Sequence, residues 1–253
     1  MDLGLADQVF VLTGASKGLG YATAAALVAD GARVVVSSRD SSQVSAAVSR
    51  LGDLATGVVA DLTDTSTPEM LVGTAIDRFG RFDGALISVG GPPSGTAASI
   101  TDEQWLAAFQ TVFLGSVRAA RVFAEALAAR EGGAIGLVLS RSSREPLAGL
   151  GLSNGLRPGL AGVAKDMSNE YGHRNVRFVS LLPGRILTDR NRELFEASGD
   201  PGKAAADAAG EVPLGRIGDP DEFGRVAAFC LSPAASYLTG ITVPVDGGAL
   251  RGL

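Results

Sequence analysis

The chain has 253 residues, 46% of them hydrophobic and 19% charged, with a formal net charge of −5. That length and apolar content suit a single sizeable α/β domain, and the acidic balance argues against nucleic acid or an anionic membrane as partner. The one cysteine, Cys230, and the one histidine, His173, preclude an intrachain disulfide and give no reason to expect a metal cluster.

The N-terminus "MDLGLADQVFVLTG" runs straight into a strand pattern without the apolar stretch of a signal peptide. No apolar run reaches the ~18–20 residues of a membrane helix, so a soluble cytoplasmic protein is expected. "QVFVLTG" reads as a buried strand closed by glycine, and "YATAAALVADGA" as a helix ending at Gly31. "RVVVSSR", "ATGVVADLTD" and "FDGALISVGG" read as strands two to four, with "SQVSAAVSRLG" and "TPEMLVGTAIDRFG" as the helices between them. One long helix, N-capped by Thr101, is expected through "TDEQWLAAFQTVFLGSVRAARVFAEALAAREGG". "AIGLVLS" is a fifth strand, a helix follows over 153–171, and "VRFVSLLPG" is a sixth strand. The helix "DPDEFGRVAAFCLS", which would bury Cys230, and the strand "GITVPVDGG" complete the chain, while His173 falls in a loop.

This alternation implies a parallel sheet of about seven strands with helices on both faces, one doubly wound Rossmann domain spanning 1–253. The least regular stretch, 191–216, is rich in Ala, Gly and charge and lies past the carboxyl end of a strand. It is expected to be a substrate lid, with a plain surface excursion as the other reading.

"TGASKGLG", residues 13–20, lies between the first strand and the first helix. Gly14, Gly18 and Gly20 let the backbone approach a pyrophosphate, and the helix start then faces the anion, with Ser16, Lys17 and Leu19 in the same turn. The second strand ends in "VVVSSRD". An acid there would hold the ribose hydroxyls of NAD, whereas a 2′-phosphate prefers cations. Ser38, Arg39 and Lys17 favour NADP(H), and Asp40, one residue later, keeps NAD(H) possible.

These motifs resemble the short-chain dehydrogenase/reductase family over essentially the whole chain. "TGASKGLG" is similar to its TGxxxGxG, "ADLTD" to the segment that brings an Asp near the adenine, and "LLPGRILTD" to its PG segment. "PLGRIGDPDEFGRVAAFCLSPAASYLTGITVPVDGG" is similar to its C-terminal region. Reductases of 3-oxoacyl carrier protein are the members it most resembles. The resemblance implies cofactor contacts at Asp61, Leu62, Ser88, Gly90, Arg157, Pro183, Gly184, Ile186 and Thr188. It also implies a small carbonyl or hydroxyl substrate and a homo-oligomer, dimer or tetramer.

The reacting positions depart from the family. Its strand-four asparagine is Ser88, and its catalytic asparagine, seven residues past a tryptophan, is Val112. The strand-five serine is kept as Ser140, thirteen residues before Ser153, which stands in place of the tyrosine, while Arg157 stands in place of the lysine. Tyr21, Tyr171 and Tyr237 are followed four residues on by Ala25, Asn175 and Ile241, so the chain holds no Tyr-x-x-x-Lys. A tyrosine hydroxyl, pKa about 10, can be tuned toward neutrality by a lysine. A serine hydroxyl is a far weaker acid, and an arginine stays charged.

Ser140, Ser153 and Arg157 are therefore the candidate catalytic groups of an NADP(H)-dependent oxidoreductase with a non-standard proton relay. The alternatives are a catalytically inactive dinucleotide-binding sensor or partner subunit, and cofactor-dependent chemistry of another kind. Arg141 and Arg144 could face the cleft or the solvent, and Pro158 lies either inside the following helix or near its start.

Overall fold

Strand β1 (Val9–Thr13) is buried along its whole length, and its side chains divide between two apolar layers. Val9 and Val11 join Phe82, Phe123 and Phe178 on one side; Phe10 and Leu12 join Leu27 and Phe223 on the other. Alternate residues of a strand point to opposite faces, so a run apolar at every position must be covered on both.

The computed structural model describes residues 2–196 and 198–252. Among these, β1 is followed by α1 (Gly18–Ala29), β2 (Arg33–Ser38), α2 (Ser41–Leu51), β3 (Ala55–Val59), α3 (Thr67–Phe79) and β4 (Gly84–Ile87). Then come α4 (Asp102–Ala108), α5 (Gly115–Ala128), β5 (Gly133–Val138), α6 (Gly151–Tyr171) and β6 (Val176–Pro183). The chain ends in α7 (Asp189–Glu196), α8 (Pro201–Gly210), α9 (Pro220–Leu231) and β7 (Ile241–Val245). All seven strands are parallel, in the order β3-β2-β1-β4-β5-β6-β7. The order reverses between β1 and β4, a switch point that opens a crevice at the carboxyl ends of the strands.

Phe82 and Phe123 meet edge-to-face at 5.8 Å, fixing α5 to the sheet. Each such buried ring contributes roughly 1.5–3 kcal/mol. On the opposite face Gly224 packs against the backbone of Ala22, so α9 lies directly on α1 where any side chain would hold them apart. A buried arginine closes the end of α9: Arg177 on β6 donates to the carbonyls of Cys230, Leu231, Ser232 and Leu238 at 2.9–3.2 Å.

Two expectations need correction. The long helix is not continuous: Phe109–Leu114 form a π-helical turn between α4 and α5, in which the amide of Gly115 donates to the carbonyl of Gln110. The apolar spacing persists through this turn, which is why the sequence reads as uninterrupted. The capping box of Thr101 and Gln104 does start α4 as expected. The second correction concerns α6, which begins at Gly151, not 153. Pro158 is therefore interior, the eighth residue of the helix, where its missing N–H removes one backbone bond.

The stretch 191–216 supplies the end of α7, all of α8, N-capped by Asp200, and a turn, with position 197 outside the described residues. Cys230 is buried, as its helical pattern indicates, and His173 lies exposed in a short 3-10 turn. No helix among the described residues is long and apolar enough to cross a membrane.

Candidate active site

The glycine loop forms because β1 ends at Thr13, whose hydroxyl both donates to the Ser88 carbonyl (2.8 Å) and accepts from the Ser88 amide (2.9 Å). This pins the ends of β1 and β4 together. Gly14 and Gly18 have φ of +57° and +59°, conformations that disfavour side chains. A Cβ on Gly14 would lie 2.5 Å from the Ser88 carbonyl, and one on Gly20 would lie 2.6 Å from the Gly14 carbonyl. The loop thus folds into a cradle of backbone that opens onto the start of α1, the donor set a pyrophosphate requires. Ser16 is buried beneath it, Lys17 is exposed at its rim, and Leu19 packs into the α1 core. The Thr188 methyl faces Gly18 across the crevice, 3.7 Å from where a Cβ would stand.

Beside the cradle, Ser38 is partly buried and Arg39 exposed. Asp40 turns away to cap α2, accepting from the Ser42 hydroxyl (2.6 Å) and the Gln43 amide (3.0 Å). The Ser42 bond, then the Gln43 bond, holds its carboxyl below the usual carboxylate range. A third cation went unnoticed in the sequence: Arg50, on the last turn of α2, lies 4.2 Å above the Tyr21 ring and reaches the Ser16 carbonyl at 3.5 Å. Asp61 accepts from the Thr63 amide, and Arg118 on α5 holds the Leu62 and Thr63 carbonyls. Gly90 faces open space. On the far side of the crevice Gly184 packs on Asp246, Pro183 is partly buried, and Ile186 is buried and bridges to Gly218.

The positions that the family resemblance marks as catalytic are tied to one another and to the end of β5. Ser140 caps a 3-10 turn (Arg141–Ser143), its Oγ accepting from the Ser142 amide at 3.1 Å. The Ser142 hydroxyl lies 2.9 Å from that of Ser153, and both residues are buried. Ser142 is the group sequence reasoning missed; the family pattern marks only the serine two residues before it. Arg157 is 5% exposed and donates to the Val138 carbonyl at 2.8 Å, at the end of β5. Val112 lies buried inside the π-helical turn and offers no polar atom beyond its backbone. Arg141 pairs with Glu145 at 3.8 Å, and Arg144 reaches out to Thr242 on β7.

No tyrosine substitutes from elsewhere. Tyr21 lies under Arg50, and Tyr237 is fully exposed. Tyr171 donates to Glu125 at 2.7 Å, a bond that raises its pKa, making it a worse acid still.

The mouth is built from two loops zipped together. Gly95 donates to the Gly149 carbonyl and accepts from the Gly151 amide, both at 2.8 Å. Asn154, next to Ser153, clamps Leu147 through two bonds of 2.9 Å, to its amide and its carbonyl. A cavity of about 610 Å³ adjoins these loops, lined by Thr96, Trp105, Leu147 and Asn154 among others. It is not lined by Ser140, Ser142 or Ser153, so it neighbours the reacting positions without containing them.

The family profile described as enoyl-(acyl carrier protein) reductase matches residues 14–249. The chain belongs to the short-chain dehydrogenase/reductase family. It is 33% identical over 253 residues to dehydrogenase/reductase SDR family member 4 of Bos taurus, covering 98% of this chain and 89% of that one. L-sorbose reductase from Gluconobacter frateurii, solved with NADPH and L-sorbose, superposes with a TM-score of 0.95 at 27% identity over 100% of both chains. A short-chain oxidoreductase from Pseudomonas aeruginosa PAO1, described as containing an atypical catalytic center, superposes at 0.91 with 30% identity, again over 100% of both. These matches place this short-chain dehydrogenase/reductase among oxidoreductases.

Proposed function

We propose that this chain is an NADP(H)-dependent oxidoreductase of a small carbonyl or hydroxyl substrate, working with serine hydroxyls where its family uses tyrosine and lysine. The observation that carries the cofactor choice is the pairing of exposed Lys17 and Arg39 beside the cradle while Asp40 is committed to capping α2. A 2′-phosphate gains from both cations, and the only acid at the strand end is turned away from the role it would have in binding NAD. The L-sorbose reductase, solved with NADPH, lends support.

The residues present fit the dinucleotide. Gly14, Gly18 and Gly20 with the start of α1 hold the pyrophosphate, and Ser16, Lys17, Ser38 and Arg39 surround the 2′-phosphate. Asp61 and Leu62 flank the adenine. Ser88, Gly90, Pro183, Gly184, Ile186 and Thr188 line the nicotinamide side, with Arg157 fixing the end of β5 beneath it. When bound, the cofactor supplies or accepts a hydride at the substrate carbon. Ser140 and Ser153 donate hydrogen bonds to the substrate oxygen, stabilising the negative charge that develops there. No group here is tuned toward neutrality as the family's tyrosine is, so the proton on the oxygen comes ultimately from solvent, directly or through Ser140 or Ser153, whose hydroxyl solvent then restores.

The segment 191–216, with α8 at its centre, acts as the lid over this cleft. Leu106, Phe109 and Leu114 expose 63%, 41% and 39% of their surface around the π-helical turn, which suits a homo-oligomer, dimer or tetramer. The enzyme works in the cytoplasm, and no helix among the described residues is long and apolar enough to cross a membrane.

Fluorescence titration with NADPH and NADH, followed by ketones, quinones and β-ketoacyl thioesters, tests the proposal. Tighter NADPH binding with carbonyl-dependent oxidation is expected, and Arg39→Ala should reduce the NADPH preference about tenfold. Tight binding without oxidation by any carbonyl would instead identify a dinucleotide-binding sensor or partner subunit.

A further inference from the structure

We infer that Ser142 is the positioning residue of this site, setting the direction in which the hydroxyls of Ser140 and Ser153 donate. The inference rests on the oxidoreductase reading above and deepens it.

Ser142 bonds both candidate hydroxyls at once. Its backbone N–H donates to Ser140 Oγ (3.1 Å), and its own Oγ lies 2.9 Å from Ser153 Oγ. A hydroxyl offers one donor and two acceptor sites. With an acceptor site of Ser140 filled by an N–H, the Ser140 proton points elsewhere, and it is given to no other group among the described residues. Ser140 is only partly buried, so that proton is available to the crevice.

The Ser142–Ser153 pair can be ordered in two ways. If Ser153 donates to Ser142, the Ser142 proton must find a second acceptor. Ser142 is 3% exposed and has no other side-chain hydrogen bond among the described residues. The adjacent Ser143 Oγ is itself enclosed without a partner, so it does not take that proton. A buried donor left unmade is costly. If Ser142 donates to Ser153, its proton is satisfied and the unmade donor falls on Ser153, the less enclosed of the two at 7% against 3%, where a substrate oxygen can accept it. The second order wins, and it leaves Ser140 and Ser153 both as donors. Two O–H groups then face a substrate oxygen, with their acceptor sides engaged by the same residue.

The reaction this serves balances simply. Hydride adds to the carbonyl carbon, the C=O π pair moves onto oxygen, the two hydroxyls stabilise that charge, and the oxygen gains a proton that comes ultimately from solvent. Ser142 exchanges no atom with the substrate; it acts through its neighbours.

A double-mutant cycle on the full chain tests this, with carbonyl-dependent NADPH oxidation and NADPH affinity read together. Ser142→Ala should lower kcat/KM about 10- to 100-fold, the scale of losing an aligned oxyanion donor, while NADPH affinity stays within about twofold. Because Ser142 acts partly through Ser153, the double variant Ser142→Ala/Ser153→Ala should lose clearly less than the product of the two single losses. Ser142→Thr, which keeps the hydroxyl, should recover most of the rate. Full turnover in Ser142→Ala, or multiplying losses in the cycle, would overturn the inference while leaving the oxidoreductase reading intact. A wild-type chain that binds NADPH but oxidises it with no carbonyl would overturn that reading, and the inference with it.

Discussion

Arg157 donates from Nη1 to the Val138 carbonyl at 2.8 Å, so a guanidinium on α6 closes the carboxyl end of β5. The group is nearly enclosed, so the guanidinium acts as a structural clamp between α6 and the sheet. Arg157→Met should destabilise the fold by about 1.5–3 kcal/mol, the usual worth of a charge-assisted bond. Thermal unfolding checks this: a drop of several degrees is expected for a chain of this length. Arg157→Lys should lose less. A methionine variant that melts with the wild type would show that the bond contributes nothing.

Asn154 should control the mouth rather than the chemistry. Asn154→Ala removes both bonds to Leu147, and amide exchange across residues 146–150 should accelerate about 5- to 30-fold, as a loss of about 1–2 kcal/mol implies. Substrate KM should rise with kcat nearly unchanged. Unchanged exchange would mean that the Gly95 pairing alone holds the loop.

Acid stability should carry the signature of Glu222. The Arg216 guanidinium at 2.7–2.8 Å, then the Asp219 amide, pull its carboxyl from 4.5 down to about 2. A depressed acid contributes stability that is present above its unfolded value of 4.5 and is lost as pH falls through about 2. Denaturant unfolding at pH 5, 3.5 and 2 should therefore show wild type and Glu222→Gln converging as pH falls. Other carboxylates titrate in the same window, so the difference between the two proteins is the quantity to read. A gap that stays constant with pH would remove the assignment.

Much of this architecture was legible beforehand. Buried strands announce themselves by apolar runs closed by glycine, and the glycine loop by the spacing of TGASKGLG between a strand and a helix. Asp200–Pro201 marks the start of α8 by the usual capping chemistry, yet the Ala-rich, charged composition of 191–216 obscured it. What the sequence hid depends on contacts across space. Nothing local distinguishes Ser142 from Ser143, though the hydroxyl of one bonds Ser153 and the hydroxyl of the other bonds nothing among the described residues. Arg50 lies remote in sequence from the loop it touches, 34 residues from Ser16. Whether Asp40 would serve a ribose or its own helix was likewise open until its partners were seen.

The π-helical turn at Phe109–Leu114 has a consequence for angular phase. The Trp105 ring packs on α6 at Gly155 and the Phe113 ring at Gly159, positions four residues apart on one helix. Trp105 and Phe113 are themselves eight apart, and at about 100° per residue an unbroken α-helix would leave them about 80° out of alignment. The wide turn absorbs about one residue and brings that offset to about −20°, so both rings meet the same glycine-lined side of α6. Deleting one residue between 109 and 112 would restore a regular helix with the two rings seven apart, again about −20° out of alignment, whereas inserting one would turn them roughly a further 100° apart. The segment therefore tolerates the loss of one residue better than the gain of one, and homologous chains that differ in length here should be shorter rather than longer.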